Sequence, residues 1–177
     1  MNFFVMDLEM NQPSEKIIQL GAVVGDVKTG IIYDEISVYV NPQESLSEKI
    51  VNLTGITDAK VQSGTTLLDA YEQAKVLHQK HSCFMNPVVW GGNDAGFLRS
   101  QLGMDNETWI FGRRFIDVKT LFVGYAISND MKLFGGLARS MGKVGLKFQG
   151  KKHNALDDSK NTFYMAHFLI SKMGAFK

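Results

Sequence analysis

The sequence predicts an α/β domain built on a mixed β-sheet, and three observations carry this. Three strand-like runs open the chain, and only Lys28-Thr29-Gly30 separates the second from the third, which is short enough for a hairpin. Short apolar runs then alternate with amphipathic stretches, as helices and strands alternate in α/β folds. The chain closes on a long helix-periodic segment. No repeat, low-complexity tract or linker divides it, so residues 1–177 read as one domain.

The elements follow in order. Residues 3–9 form the first strand, 16–26 (KIIQLGAVVGD) the second and 31–40 (IIYDEISVYV) the third. Residues 47–53 and 66–80 are helical, the latter with Leu67, Ala70, Tyr71, Ala74 and Leu77 on one face. Residues 87–90 (PVVW) make a short buried strand. Gly91-Gly92 turns the chain, and Asn93 or Asp94 caps a helix running to about Leu102. A fifth strand is predicted near 114–118, with helices near 120–126 and 134–141. A basic, glycine-containing loop covers 142–152, and residues 154–173 form the last helix.

Composition bounds the function classes. One cysteine, Cys83, excludes an intrachain disulfide, so a reducing cytoplasm is the expected setting. The start, MNFFVMDLEM, lacks the basic region of a signal peptide, and no apolar stretch is long enough to span a bilayer, so no membrane role is expected. Charge is balanced overall, with Lys+Arg 19 and Asp+Glu 18. Its distribution is uneven. Lys132, Arg139, Lys143, Lys147, Lys151 and Lys152 follow one another with no acid between them. Such a run is commonly a solvated face; it also suits a polyanion backbone.

The stretch FFVMDLEM, residues 3–10, is apolar except for Asp7 and Glu9. Alternation puts both acids on one face, roughly 7 Å apart along the strand. Phe4, Met6, Leu8 and Met10 occupy the other face, so the strand reads as central and covered on both sides. A buried carboxylate needs a partner. Salt bridges would serve, and so would a divalent cation, which selects carboxylate oxygens. In the last helix, Ala155, Thr162, Met165, Ala166 and Leu169 define an inward face opposite Lys160, Tyr164, His167 and Ser171. Asp158 falls on the inward face; Asp157 reads as an exposed acid of the first turn. His153 lies five positions before Asp158, on a loop. Asp94 stands at the carboxyl end of a strand, where α/β sheets hold ligands, provided that Asn93 takes the capping role.

Asp7-x-Glu9, Asp94 followed by Phe97-Leu98, and His153-x4-Asp158 together resemble the DEDDh branch of the DnaQ-like 3′→5′ exonucleases. IIQLGAVV, LTGIT and HNALDDSKNT extend the resemblance over the whole chain. The last of these, with WGGND, is similar to the KapD-like and enhanced-RNAi exonuclease branch. Many members carry an aromatic residue where this chain has Asn93. The resemblance implies an RNase H-like fold, a central five-stranded mixed sheet flanked by helices. It implies that Asp7, Glu9, Asp94 and Asp158 hold two divalent ions, Mg²⁺ or Mn²⁺, of the kind that clamp an in-line displacement. His153 would be the general base, since histidine titrates near neutral pH. The substrate would be the 3′ end of single-stranded nucleic acid, with RNA slightly favoured over DNA, and the product a nucleoside 5′-monophosphate. Met10, Thr54, Gly55 and Ile56 would meet the terminal nucleotide. The basic run leads straight into His153, so Lys147, Lys151 and Lys152 would meet upstream phosphates. Other members include homodimers, although no self-complementary patch is legible here.

Other classes fit parts of this pattern. An RNase H-like endonuclease shares the acids but usually lacks the histidine, and it would give labelled oligomers from a 3′-labelled strand. A catalytically weak nucleic-acid-binding or regulatory protein on the same fold is the other alternative; all five expected residues are present, which argues against loss of activity. Four acids in ordinary ion pairs would need several buried basic partners, and few Lys or Arg sit in the apolar segments.

Overall fold

The computed structural model describes residues 1–133 and 135–174. Five strands form one sheet in the order β3-β2-β1-β4-β5. They are β1 (Asn2–Met10), β2 (Ile17–Asp26), β3 (Ile31–Tyr39), β4 (Val88–Val89) and β5 (Ile116–Asp117). β1 pairs antiparallel with β2 and parallel with β4; β2 and β3 form the expected hairpin, and β4–β5 is parallel. The mixed sheet and the central position of β1 therefore agree with the sequence reading.

Seven helices complete the fold among the described residues: α1 (Glu48–Thr54), α2 (Asp58–Gln62), α3 (Leu67–Lys80), α4 (Asp94–Gln101), α5 (Val118–Ser128), α6 (Leu137–Lys143) and α7 (Ala155–Lys172). α2 is absent from the sequence reading, because five residues are too few to display a helical period. The helix predicted over residues 134–141 is α6; its first predicted residue, Phe134, lies outside the described residues. No helix of the described residues is long and apolar enough to cross a membrane.

The two faces of β1 belong to two cores. Phe4, Met6 and Leu8 pack with Tyr71, Leu77 and Leu98 from α3 and α4. Phe3 and Val5 pack with Phe163, Met165 and Phe122 from α7 and α5. A third, smaller cluster gathers Ile18, Leu46, Ile50, Ile56 and Val61 beneath α1 and α2. Burial of the apolar stripes gives the bulk of the folding free energy, at roughly 25 cal/mol per Å².

α7 lies directly on β2, and two glycines on one face of that strand make room for it. A Cβ on Gly21 would sit 2.1 Å from the Ala155 carbonyl carbon, and one on Gly25 would sit 2.5 Å from the Phe163 ring. Gln19 and Ser159 then pin the helix. The buried Gln19 accepts the Ala155 N–H at 3.1 Å and donates to Ser37 Oγ at 3.0 Å. The Ser159 hydroxyl donates to the Gly21 carbonyl at 2.9 Å. Gln19 thus satisfies one of the donors that a helix N-terminus leaves without an intrahelical partner.

Candidate active site

Asp7 and Glu9 lie on the face of β1 that looks toward α7. Asp158 comes from the first turn of α7, and that turn is fixed in height by Gln19 and Gly21 on β2. His153 is exposed, takes a left-handed backbone conformation (φ 59°), and donates its N–H to Asp158 Oδ2 at 2.9 Å. One ligand atom each from Glu9, His153 and Asp158 lies within 4.8 Å of the others.

Asp94 starts α4, directly past β4. β4 is only two residues long, so β1 runs on beyond it. The N–H of Leu8, left without a strand partner on that side, is taken by the Asp94 carboxylate. Gly92 gives this carboxylate room, since a Cβ there would lie 2.7 Å from Asp94 Oδ2. Asp117, at the end of β5, holds the turn from the other side by accepting the Gly91 N–H at 2.7 Å while it caps α5 through the Lys119 N–H. Asn93 does occupy the N-cap position of α4, but its side chain makes no capping bond. It lies over Gly96 instead, where a Cβ would meet Asn93 Oδ1 at 2.2 Å.

The four carboxyls share one electrostatic environment. Burial raises Asp7 well above the usual carboxylate range, and the charges of Asp94, Asp158 and Glu9 raise it further. Burial, then Asp158 and Asp94, push Glu9 up to about 7. Burial lifts Asp94 to about 6, against its bonds to its own N–H and that of Leu8. Burial also raises Asp158, opposed by His153. None of the Lys, Arg or His ion pairs among the described residues reaches these acids. The explanation by ordinary salt bridges therefore fails. Buried carboxylates that raise one another and form no ion pair with Lys or Arg among the described residues fit divalent metal ions. Glu9 and Asp158, with His153, form the convergent ligand group, and Asp7 and Asp94 add charge beside it.

A cleft of about 560 Å³ opens above Asp7, Glu9, His153 and Asp158, with Trp90, Arg139 and Lys152 on its walls. Trp90 and the α6 residues Leu137 and Ala138 are cleft residues that sequence reasoning did not single out. Other expected contacts sit differently. Met10 packs against the core on the opposite face of the sheet. The Thr54 hydroxyl is spent within the fold, donating to the Ile50 carbonyl and accepting the Ile56 N–H. Ile56 is itself a core side chain. Lys147 lines a separate hollow with Tyr164 and His167, because the loop turns its side chain toward the outer face of α7. Lys151 donates to the Thr54 carbonyl. Asp157 is half-buried rather than exposed, since it accepts the Lys151 N–H at 2.8 Å.

The RNase_T exonuclease family model matches residues 4–166, a span that contains all four acids and the histidine. The chain belongs to the RNase_T exonuclease family. Among curated proteins, ERI1 exoribonuclease 2 of Homo sapiens is 31% identical over 189 residues, covering 89% of this chain and 26% of that protein. The PolC-type DNA polymerase III of Staphylococcus saprophyticus is 32% identical over 189 residues, covering 98% of this chain and 12% of the polymerase. This exonuclease-family chain thus spans about a quarter of the length of the first of those relatives and 12% of the second. The nuclease domain of 3'hExo, a DEDDh family member solved bound to rAMP, superposes with a TM-score of 0.82 at 20% identity, covering 99% of this chain and 94% of that one. The superposition establishes the RNase H-like fold.

Proposed function

We propose that this protein is a metal-dependent 3′→5′ exonuclease that removes nucleoside 5′-monophosphates from the 3′ end of single-stranded nucleic acid, RNA slightly ahead of DNA. The observation that carries the reading is one convergence. Asp7 and Glu9 from a strand, Asp158 from a helix start and His153 from a loop meet at a single cleft, Asp94 acts on Asp7 and Glu9 from beside it, and no Lys or Arg among the described residues is ion-paired with these acids. Residues 1–177 are read as one exonuclease domain. A reducing, cytoplasmic setting suits a chain with a single, half-buried cysteine.

Each residue has a role that its placement supports. Asp7, Glu9, Asp94 and Asp158 hold two divalent ions, Mg²⁺ or Mn²⁺. When bound, such ions neutralise the phosphoryl oxygens and stabilise charge on the attacking and leaving oxygens. Asp94 is oriented by the Leu8 N–H, and Asp158 by the His153 N–H. The His153 imidazole stands over the acids and takes the proton of the attacking water. Trp90 offers an aromatic face in the cleft, on which a base can stack with little preference for its identity. Lys152 and Arg139 line the cleft and are the members of the basic run placed for an upstream phosphate.

Similarity to human ERI1 exoribonuclease 2 favours RNA, and similarity to a PolC-type DNA polymerase keeps DNA open. The experiment is a metal-dependent degradation assay on matched 3′-labelled single-stranded RNA, single-stranded DNA, duplexes of both, and dinucleotides. Single strands are expected to outpace duplexes, with RNA ahead. Faster cleavage of duplex than of single strand would overturn the substrate reading.

A further inference from the structure

The side chain of Lys151 spans from the His153 loop to the far end of α1. Its Nζ donates to the Thr54 carbonyl at 2.7 Å. Thr54 is the last residue of α1, and Gly55 is its left-handed C-cap with φ 70°. This carbonyl is one of those a helix leaves unpaired at its negative end, where a cation is favoured. The ammonium lies directly against Gly55: a Cβ there would stand 2.3 Å from Nζ. The backbone of the loop is fixed as well. The Lys151 N–H donates to Asp157 Oδ2 at 2.8 Å, and the His153 N–H to Asp158 Oδ2 at 2.9 Å. Between these bonds His153 is held at φ 59°, a conformation that a residue with a side chain rarely keeps without outside support. α7 supports the loop from below. Lys151 is its tie to the side.

We infer that Lys151 is a positioning residue, a strut that fastens the loop carrying His153 to the C-terminus of α1 and so sets the imidazole over the acid cluster. It is not a contact for substrate phosphate. The inference rests on the exonuclease reading for its kinetic consequence, but not for its structural one.

The test compares wild type with K151M, which keeps the methylene stem and removes the charge, and with K151R, which can still donate to the carbonyl. For 3′ mononucleotide release, K151M is expected to lower kcat between tenfold and a hundredfold, the scale on which small misplacements act. KM and its salt dependence should stay at wild-type values, and K151R should recover most of the rate. The His153 amide should exchange with solvent at least several-fold faster in K151M, measured without substrate or metal. A higher KM with unchanged kcat, and a salt slope shallower by about 0.7 as for one lost single-strand phosphate contact, would overturn the inference. Unchanged exchange of the His153 amide would overturn it equally. If wild type released no mononucleotide, the exonuclease reading would fail, and the exchange measurement would still decide the strut.

Discussion

Asp7 and Glu9 lie within a strand whose apolar residues enter two cores, and the consequence is measurable without any substrate. The Glu9 carboxyl titrates near 4.3 in an unfolded chain and at about 7 in the fold. Between those values the folded state holds a proton that the unfolded chain has released. Stability therefore falls as pH rises through this window. Asp7, raised in the same direction, adds to the loss. In EDTA, the melting temperature of wild type should drop more between pH 5 and pH 8 than that of Asp7→Asn. At pH 8, Mg²⁺ should raise the wild-type melting temperature and leave Asp7→Asn nearly unmoved. Identical melting curves with and without Mg²⁺ would remove the cation from the account. His153→Gln should slow hydrolysis by roughly 10²–10⁴-fold, the usual worth of a positioned general base. Its melting should stay near wild type, because the side chain is exposed and only its backbone is bonded to Asp158. The acids were legible in the sequence because alternation and helical period each left an inward carboxylate unexplained. Gln19 was not, since one polar residue in IIQLGAVV does not announce a partner 136 positions away.

At the scale of elements, the cleft depends on how closely α7 lies on β2. Gly21→Ala would place a methyl group 2.1 Å from the Ala155 carbonyl carbon, so backbone must move. The expected cost is about 1–3 kcal/mol, as for overpacking in a tight interior, read as a lower midpoint in denaturant. Because the displaced segment carries Asp158, the remaining folded protein should also lose hydrolytic rate. Gln19→Leu leaves the Ala155 N–H without its acceptor, at an expected cost of roughly 1–3 kcal/mol. A midpoint equal to that of wild type in both variants would refute this docking. The long elements were readable from their periods, and the five-strand count was right. The two-residue strands β4 and β5 emerged shorter than the apolar runs that signalled them. α2 was invisible, and the basic run proved divided, with Lys147 on one side of its loop and Lys152 in the cleft. A charge pattern gives no side-chain direction in a loop that has neither a strand nor a helix period.

For the molecule as a whole, the cleft sits at the carboxyl ends of the parallel pair β1 and β4, where strands of an α/β sheet release their chains in different directions. The central strand β1, the start of α4 and the first turn of α7 bring the acids to that one edge. The central claim is that this edge holds metal ions to hydrolyse a polymer from its 3′ end. The most direct measurement is the first labelled product from a 3′-labelled single strand, sampled at low conversion in Mg²⁺ and in EDTA. The account predicts labelled mononucleotide at once in Mg²⁺, none in EDTA, and none with Asp7→Asn in either. Labelled oligomers of mixed length as the first product, or undiminished release by Asp7→Asn, would contradict it.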